Sequence, residues 1–567
     1  MADLQLPATT AAEVLLATLR LRGVDHLLAN PGTDFAPLIE GLARRAESGL
    51  PMPEAVIVAH ELAAISMAHG YWLATGRPLA VMVHVNVGLA NGLMGIINAA
   101  RDNVPMLVLS GRTPLGEVGR TGSRDLPIHW GQDMRDQGAM LREFVKWDHE
   151  LKLPEQAAET IDRALAIALT PPMGPVYLSL PREVLCAPLS GVTVPERSRL
   201  QAPAPAVPEA AAIEEAAAWI ARARRPLVIT QRAGAFARGF AAVSEFALRC
   251  ALPVVEFWPS RISLPVDHPM HAGFDPGPLL EQADLVIVVD GLTPWIPMRH
   301  SPPAECRVVQ IGPDPLFAWA PVRGLPSDLT LAGDVAATLE LLTSAVAAAA
   351  SDVSERRERL AREHGTARAA RQAAAAKNDG TPMSPAFVSG RLAAALPDDA
   401  VLVSELGCDP AVMSFWQPGS YFGFPPSGGL GFGLPAALGV KLAHPERTVV
   451  ATVGDGSYLF ANPPACHHAS EALRLPVLTV VLNNGRYNAV HKTTTMVYPS
   501  GHAARANQMP LTSLEPAPDY AMLARASRGH GERVEDPAAL DDALKRALDI
   551  VRNEQRQALL DVTVQPT

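Results

Sequence analysis

Cysteine is scarce in this chain, and its spacing excludes two common ways of stabilising a fold. The 567 residues contain five cysteines, which lie far apart and form no C-x-x-C pair. Such spacing supplies neither a disulfide framework nor a zinc site, and it suits a reducing compartment. We therefore expect the fold to depend on its hydrophobic core.

Three further features are missing from the sequence. No run of about 18 uncharged apolar residues indicates a membrane span. The first residues contain no basic segment followed by an apolar one, as a secretory signal would. The net charge of −10 is spread along the chain, which argues against a nucleic-acid-binding surface. The expectation is a cytoplasmic protein that binds neither membrane nor nucleic acid.

What is present is typical of a large α/β enzyme. Hydrophobic residues make up 48% of the chain and charged residues 19%. Apolar strand-like runs alternate with helical patterns such as Thr10–Arg22 and Gly92–Ala100, which predicts parallel sheets covered on both faces. The predicted fold class is α/β, with three doubly wound parallel-sheet domains. Their boundaries are 1–187 for the first domain, 188–208 for a proline-rich linker, 209–342 for the central domain, 343–381 for a helical connector and 382–567 for the last domain.

Oxygen-bearing side chains follow two apolar runs in the last domain. The run Val449–Val453 stops at Gly-Asp455-Gly, and a second run stops at Asn483-Asn484-Gly. In a parallel sheet, ligands collect at the carboxyl ends of the strands. A carboxylate and an amide oxygen favour Mg²⁺ with a phosphate completing the coordination. The alternative is that both segments are only turns.

Two other segments have a functional and a structural interpretation. Glu61 begins a helix directly after a short apolar strand, where it is either a functional carboxylate or a first-turn acid favoured by the helix dipole. The segment 427–439, SGGLGFGLPAALG, is dense in glycine on its approach to a helix. It would let backbone lie close to a flat ligand, or it would form a tight helix–helix crossing.

Together these segments resemble the thiamine diphosphate enzymes of the acetolactate synthase, pyruvate oxidase and benzoylformate decarboxylase superfamily. The resemblance spans essentially the whole chain, with pyrimidine-binding, central and pyrophosphate-binding domains in that order. It implies that thiamine diphosphate and Mg²⁺ are the cofactors. The metal ligands would be Asp455, Asn484 and the carbonyl of Arg486, and the diphosphate would lie beside Gly456, Ser457 and Asn484.

The same resemblance assigns the pyrimidine side of the cofactor. Leu430 would bend the cofactor, and the carbonyl of Gly428 would hold its 4′-amino group. Glu61 would pair with N1′ of the aminopyrimidine. A carboxyl at that position favours the imino tautomer, which can remove the proton from C2 of the thiazolium.

Three residues bear on the reaction. His84 follows a strand and precedes a G-x-x-N pattern, which resembles benzoylformate decarboxylase, as does the turn Asn30-Pro31-Gly32-Thr33. His84 would move protons or hold a substrate carboxylate, and a structural histidine is the alternative. The hydroxyl of Thr33 would bond a substrate carboxylate. Gln132 stands where relatives have a glutamine near the substrate channel.

The resemblance implies a lyase or carboligase acting next to a carbonyl, either a 2-oxo acid decarboxylase or an acetolactate synthase-like enzyme. A 2-hydroxyacyl-CoA lyase is the alternative, motivated by Lys492, His502 and Arg505 in the long polar stretch after Tyr487. A non-catalytic cofactor-binding relative is disfavoured because Glu61, Asp455 and Asn484 are intact. The substrate would be a small 2-oxo acid or an acyl-CoA.

The resemblance also bears on the oligomeric state and on whether the central domain binds FAD. In this superfamily the glutamate and the diphosphate site come from different subunits, so the resemblance implies a homodimer at least, and a homotetramer commonly. The central domain reads RPLVITQRAGAFARG (residues 225–239), without the glycine cluster that flavin-carrying relatives usually show. FAD is therefore the less favoured alternative for that domain.

Overall fold

Three parallel sheets define the architecture of the chain, in agreement with the predicted fold class. The computed structural model describes residues 3–234, 236–349, 353–377 and 380–566. Each sheet is built from strands whose successive side chains point to opposite faces, and both faces are covered by apolar residues. In the described part of the chain, no helix is long and apolar enough to cross a membrane.

The first domain contains a six-stranded parallel sheet of order β3-β2-β4-β5-β7-β6 and a separate antiparallel pair, β1-β8. Its strands are β1 (Leu4–Thr10), β2 (His26–Ala29), β3 (Glu54–Ile57), β4 (Ala80–Val83), β5 (Leu107–Arg112), β6 (Asp148–Glu150), β7 (Val176–Pro181) and β8 (Pro188–Val194). Its helices are α1 (Ala11–Leu21), α2 (Ala36–Ala43), α3 (Arg45–Ser48), α4 (Glu61–Thr75), α5 (Val85–Arg101), α6 (Ile128–Gly131), α7 (Ala157–Leu169) and α8 (Arg182–Cys186).

The central domain has a five-stranded parallel sheet of order β10-β9-β11-β12-β13. Its strands are β9 (Pro226–Thr230), β10 (Val254–Glu256), β11 (Leu285–Val289), β12 (Arg307–Gly312) and β13 (Leu329–Ala332). Its helices are α9 (Ala210–Arg222), α10 (Ala237–Cys250), α11 (Gly277–Leu280) and α12 (Val335–Ala349), and α13 (Ser354–Ala375) follows as the predicted helical connector.

The last domain repeats the pattern with a six-stranded parallel sheet of order β15-β14-β16-β17-β19-β18. Its strands are β14 (Val401–Glu405), β15 (Tyr421–Phe422), β16 (Val449–Gly454), β17 (Leu478–Asn483), β18 (His530–Val534) and β19 (Ala558–Thr563). Its helices are α14 (Pro385–Ala395), α15 (Gly433–Ala443), α16 (Asp455–Phe460), α17 (Pro463–Ala472), α18 (Asn488–Val497), α19 (His502–Arg505), α20 (Tyr520–Ala526) and α21 (Leu540–Arg552).

The first and last domains share one hydrophobic core through helices α4 and α15. Buried side chains of both helices, among them Met67, Ala68 and Ala437, belong to the same cluster. The two backbones approach so closely that a Cβ at Gly439 would lie 1.9 Å from the carbonyl oxygen of Met67. Part of the glycine-rich segment therefore forms a tight helix–helix crossing, which was one of the two interpretations of its composition.

Three segments differ from the sequence-based expectation. Helix α5 begins at Val85 rather than at Gly92, because the first turns of this helix pack on Val83 and Glu61 through Gly88. The segment predicted as a linker begins with strand β8, which pairs antiparallel with β1. The polar stretch after Tyr487 contains helices α18 and α19, and its far end returns to the main chain at Gly485, whose carbonyl accepts from the N–H of Leu514.

Candidate active site

Glu61 lies at the first position of α4, beyond the carboxyl end of β3, and its carboxylate is held between two amides. Its Oε1 accepts from Nδ2 of Asn30 at 2.9 Å, and its Oε2 accepts from Nδ2 of Asn91 on α5. The residue is 6% exposed. Because both partners are neutral donors, the carboxylate is positioned without a counter-charge, and each oxygen keeps further acceptor capacity for a ligand donor.

His84 lies between β4 and α5 and is bonded through both ring nitrogens. Its Nδ1 is hydrogen-bonded to Oδ1 of Asp34, and its Nε2 lies 3.2 Å from Nε2 of Gln132. The hydrogen bond to Asp34 raises the pKa of His84 above its ordinary value, and burial opposes this only in part. The ring is therefore an oriented group whose proton is retained to higher pH than that of a free histidine.

Close packing and backbone strain surround this pair. A Cβ at Gly111 would lie 1.8 Å from Oδ2 of Asp34, so only glycine at the end of β5 leaves room for the carboxylate. Val85, directly after His84, has a φ of 30° although it is β-branched. Such a conformation costs about 1–3 kcal/mol and persists where surrounding contacts impose it, often at functional sites.

Thr33 and its neighbour Asp34 have different environments. Thr33 begins a short 3₁₀ turn and its side chain is exposed. Asp34 is buried at 4% exposure, and it is the residue that bonds His84. The role predicted for Thr33 toward a substrate carboxylate stays a prediction.

Gln132 is held in place through its neighbour in the chain. The carboxylate of Asp133 accepts from Nη1 of Arg112 at 3.0 Å and from the hydroxyl of Thr113 at 2.9 Å, and Arg124 also pairs with it. These bonds tie the segment to the end of β5. The amide of Gln132 therefore lies beside His84 on a loop that is fixed by hydrogen bonds.

The second half of the candidate site lies at the carboxyl edge of the last sheet. Asp455 begins α16 directly after β16, and its carboxylate accepts from the N–H of Gly456 at 2.8 Å and from the N–H of Gly485 at 2.7 Å. It is 2% exposed, and burial raises its pKa although the backbone donors oppose this. The GDG and NNG segments thus meet at one carboxylate, as the parallel topology predicts.

The two neighbouring asparagines have different environments. Asn483 is the last residue of β17 and is buried, with its Nδ2 donating to Asp561 at 2.9 Å. Asn484 is half-buried, and its Oδ1 accepts only from the N–H of Arg486, at 3.1 Å, among the side-chain bonds described for it. Asn484 is therefore the asparagine that keeps amide capacity for a ligand, as the resemblance implies.

The chemistry of this edge fits a divalent cation. The buried carboxylate of Asp455 is matched by backbone N–H groups but forms no ion pair with a described lysine or arginine, so a bound cation would supply the missing charge. Among the described residues there is no group of three or more His, Cys, Asp and Glu side chains that could hold a metal. The donor set would instead be mixed, with carboxylate, amide and main-chain carbonyl oxygens, which suits Mg²⁺.

The glycine-rich segment forms a loop between the first and last domains. Gly428 has a φ of 71° and opens onto free space, and the neighbouring Leu430 is half-buried. Asn98 on α5 fixes this loop, since its Nδ2 donates to the carbonyl of Gly429 at 2.8 Å and its Oδ1 accepts from the hydroxyl of Ser427 at 2.6 Å. The predicted cofactor contacts Gly428 and Leu430 are thus carried by a loop that is anchored from the first domain.

Comparison with known families identifies the class of protein that this fold and site define. Residues 9–140, 213–342 and 406–562 match the N-terminal TPP binding, central and C-terminal TPP binding domains of thiamine pyrophosphate enzymes. The chain is 30% identical to benzoylformate decarboxylase of Pseudomonas aeruginosa over 491 residues, which covers 83% of this chain and 85% of that protein. The chain belongs to the thiamine diphosphate-dependent enzymes.

Two further relatives narrow the group. A probable 2-ketoarginine decarboxylase of Pseudomonas aeruginosa is 30% identical, over 94% of this chain and 90% of that protein. The solved structure of a 4-hydroxybenzoylformate decarboxylase from Rhodococcus jostii is 26% identical, with a TM-score of 0.78 over 98% of this chain and 99% of that one. The protein is thus a thiamine diphosphate-dependent enzyme of the decarboxylase and acetolactate synthase-like group, as predicted, and these matches lend no support to FAD.

Sequence reasoning missed several residues that complete the site. They are the partners of predicted residues: Asp34 beside His84, Asn30 and Asn91 beside Glu61, and Asn98 and Glu405 beside the glycine-rich loop. Asn30 belongs to the NPG turn, Asp34 follows that turn and Asn91 ends the G-x-x-N pattern, so these positions were available signals. Asn98 and Glu405 come from elements remote from the loop in sequence, and only the packing of α5 and β14 reveals them.

Proposed function

We propose that this enzyme decarboxylates a 2-oxo acid with thiamine diphosphate and Mg²⁺. The observation that carries the proposal is His84, oriented by Asp34 on one ring nitrogen and faced by Gln132 on the other. When bound, thiamine diphosphate supplies the electron sink that accepts the electrons left behind by the departing CO₂. Relatives named for decarboxylation of benzoylformate, 4-hydroxybenzoylformate and 2-ketoarginine support the same reaction class.

The residues of the first domain handle protons. Glu61 holds or releases the proton at N1′ of the aminopyrimidine, and the amides of Asn30 and Asn91 keep its carboxylate in place. His84 delivers a proton to the product carbon after CO₂ has left, while Asp34 fixes the tautomer of the ring by bonding Nδ1. Gln132 bonds the other ring nitrogen until substrate enters, and Thr33 faces the incoming carboxylate.

The residues of the last domain bind the cofactor. Asp455, Asn484 and the carbonyl of Arg486 would hold Mg²⁺, and the main chain at Gly456 and Ser457 would lie beside the diphosphate. On the pyrimidine side, the carbonyl of Gly428 would accept from the 4′-amino group and Leu430 would support the cofactor. None of these roles requires a lysine or arginine at the metal, which agrees with the mixed oxygen donor set around Asp455.

An active site shared between two subunits is part of the proposal, because the family resemblance implies that the glutamate and the diphosphate site come from different chains. The working unit is then a homodimer or a homotetramer built from it.

The test is CO₂ release by the holoenzyme from pyruvate, phenylglyoxylate, 2-ketoarginine and branched 2-oxo acids, with and without thiamine diphosphate and Mg²⁺. The expected result is cofactor-dependent release from at least one acid, with aldehyde as the product, and loss of release in Glu61→Gln. Acetolactate as the sole product from pyruvate would assign carboligation instead. Cleavage of a 2-hydroxyacyl-CoA, with no CO₂ from any 2-oxo acid, would overturn the proposal.

A further inference from the structure

Glu405 is a fully buried carboxyl group that the proposed reaction does not use. It ends β14, it is 0% exposed, and both of its oxygens are occupied by main-chain donors. Its Oε1 accepts from the N–H of Gly431 at 2.7 Å, and its Oε2 accepts from the N–H of Gly433 at 2.6 Å. Burying a carboxylate costs free energy unless it is hydrogen-bonded and paired with a charge, so the position of Glu405 calls for an explanation.

The two main-chain donors belong to the glycine-rich loop and to the start of α15. Leu430 lies between two anchored residues, since Asn98 holds Gly429 on one side and Glu405 holds Gly431 on the other. The contact is tight, because a Cβ at Gly433 would lie 2.9 Å from Cβ of Glu405. The path of the main chain around Leu430 is therefore set from both sides by side chains of other elements.

Glu405 also reaches the diphosphate side of the predicted cofactor site. The hydroxyl of Ser457, near the start of α16, lies close enough to the same carboxyl group to lower its pKa. Ser457 is buried and lies two residues after Asp455. One carboxyl group thus lies close to both the loop expected to shape the pyrimidine end of the cofactor and the helix expected to approach its diphosphate.

We propose that Glu405 is a positioning residue that holds the loop of Gly428 and Leu430 in the conformation that binds thiamine diphosphate. The inference rests on the proposed cofactor contacts of this loop, and it concerns cofactor binding rather than the reaction. As a carboxylate, Glu405 accepts from both N–H groups. As a neutral acid it donates through one oxygen, which leaves one of the two N–H groups opposed by a donor.

The protonation of this group falls in an accessible range. Burial raises the pKa of Glu405 to about 7, and the N–H groups of Gly433, Gly431 and Phe432, together with Ser457, oppose that rise. These are the groups that face it from the loop, from α15 and from α16, and none of them titrates near neutral pH. A pH dependence that disappears in Glu405→Gln therefore reports on this carboxyl group alone.

The experiment titrates the full-length apoprotein with thiamine diphosphate at saturating Mg²⁺, followed by isothermal calorimetry between about pH 6 and 8. We expect Glu405→Gln to weaken binding by about 10- to 100-fold at pH 8, the range for losing one hydrogen bond to a charged group. The ratio of the two dissociation constants should shrink as the pH falls through 7, because the wild-type carboxyl group then loses its own acceptor. Glu256→Gln is the matched control, since Glu256 is equally buried and accepts from a main-chain N–H in the central domain.

Equal binding by wild type and Glu405→Gln at pH 8 overturns the proposal, and so does a ratio that is unchanged by pH or reproduced by Glu256→Gln. If Glu405→Gln does not fold, hydrogen exchange of the loop amides in the wild-type protein tests the proposal instead. Protection of Gly431 and Gly433, corrected for intrinsic exchange, should fall between pH 8 and 6, and constant protection overturns the proposal. A protein that binds cofactor as expected but releases no CO₂ would contradict the proposed function and leave the role of Glu405 intact.

Discussion

Replacing Asp34 by asparagine tests how the first domain prepares His84. Asparagine keeps the shape of the side chain and an acceptor oxygen, but it removes the negative charge that His84 meets at Nδ1. A hydrogen bond to a charged group is worth about 1.5–3 kcal/mol. With about 1.4 kcal/mol per pKa unit, its loss corresponds to about one to two units. We expect about one unit, the lower end, because the ring is 19% exposed and solvent weakens the interaction.

The sign of the effect follows from the direction of the shift. Asp34 raises the pKa of His84 above 6.5, so the proton that His84 delivers is kept to higher pH in the wild type. In Asp34→Asn the alkaline limb of the kcat profile should move down by about one pH unit. The stability that the Asp34–His84 bond adds is fully present below pH 6.5 and is lost as the pH rises through the raised pKa, so the variant should lose more stability at low pH than at high pH.

The assay is CO₂ release at saturating substrate across the neutral to alkaline range, together with urea unfolding below pH 6.5 and at the alkaline end of that range. Asp162→Asn is the control, since Asp162 forms an ion pair with Arg22 at 2.6 Å elsewhere in the same domain. An alkaline limb that stays in place in Asp34→Asn would refute the reasoning, and so would an equal shift in the control. His84→Ala should remove the limb altogether.

Three other outcomes follow from the site. His84→Ala should lose most of its turnover while thiamine diphosphate still binds, and unchanged turnover in a calorimetrically saturated enzyme would make His84 structural. Asp455→Ala should weaken Mg²⁺-dependent cofactor binding by more than about 100-fold, since even partners of metal ligands contribute about 10- to 100-fold; an unchanged titration would contradict its role. Co-expressing the inactive variants Glu61→Gln and Asp455→Ala should restore about one quarter of wild-type turnover through mixed dimers with one intact site; no recovery would assign both residues to the same site within one chain.

The sheets could be predicted from sequence because parallel strands are buried on both faces. Runs such as Leu285–Val289 are apolar throughout and are ended by polar residues, so the existence of the strands and the carboxyl-end position of Asp455 follow from the pattern. The boundary of α5 does not follow. Its first turn contains β-branched Val85 with a strained φ, and it forms because tertiary contacts with Val83 and Glu61 impose it.

The choice between neighbouring polar residues also lies beyond the sequence. Thr33 and Asp34 are adjacent, and the 3₁₀ turn decides that Asp34 is the one that bonds His84. In the same way the alternation along β17 directs Asn483 to Asp561, whereas the Oδ1 of Asn484 accepts from the N–H of Arg486. Adjacent polar residues at the end of a strand thus indicate where a site lies. Which of their side chains points into it depends on the local turn geometry.

The most direct test of the account is exchange of the C2 hydrogen of bound thiamine diphosphate, since Glu61 is assigned to the step on which all later chemistry depends. The measurement quenches the holoenzyme in D₂O at short times and follows loss of the C2 proton by NMR, in wild type and in Glu61→Gln at equal cofactor occupancy. Exchange in Glu61→Gln should be slower by at least about 100-fold, the lower range for removing a general acid–base group. Exchange at the wild-type rate in that variant would contradict this assignment of Glu61.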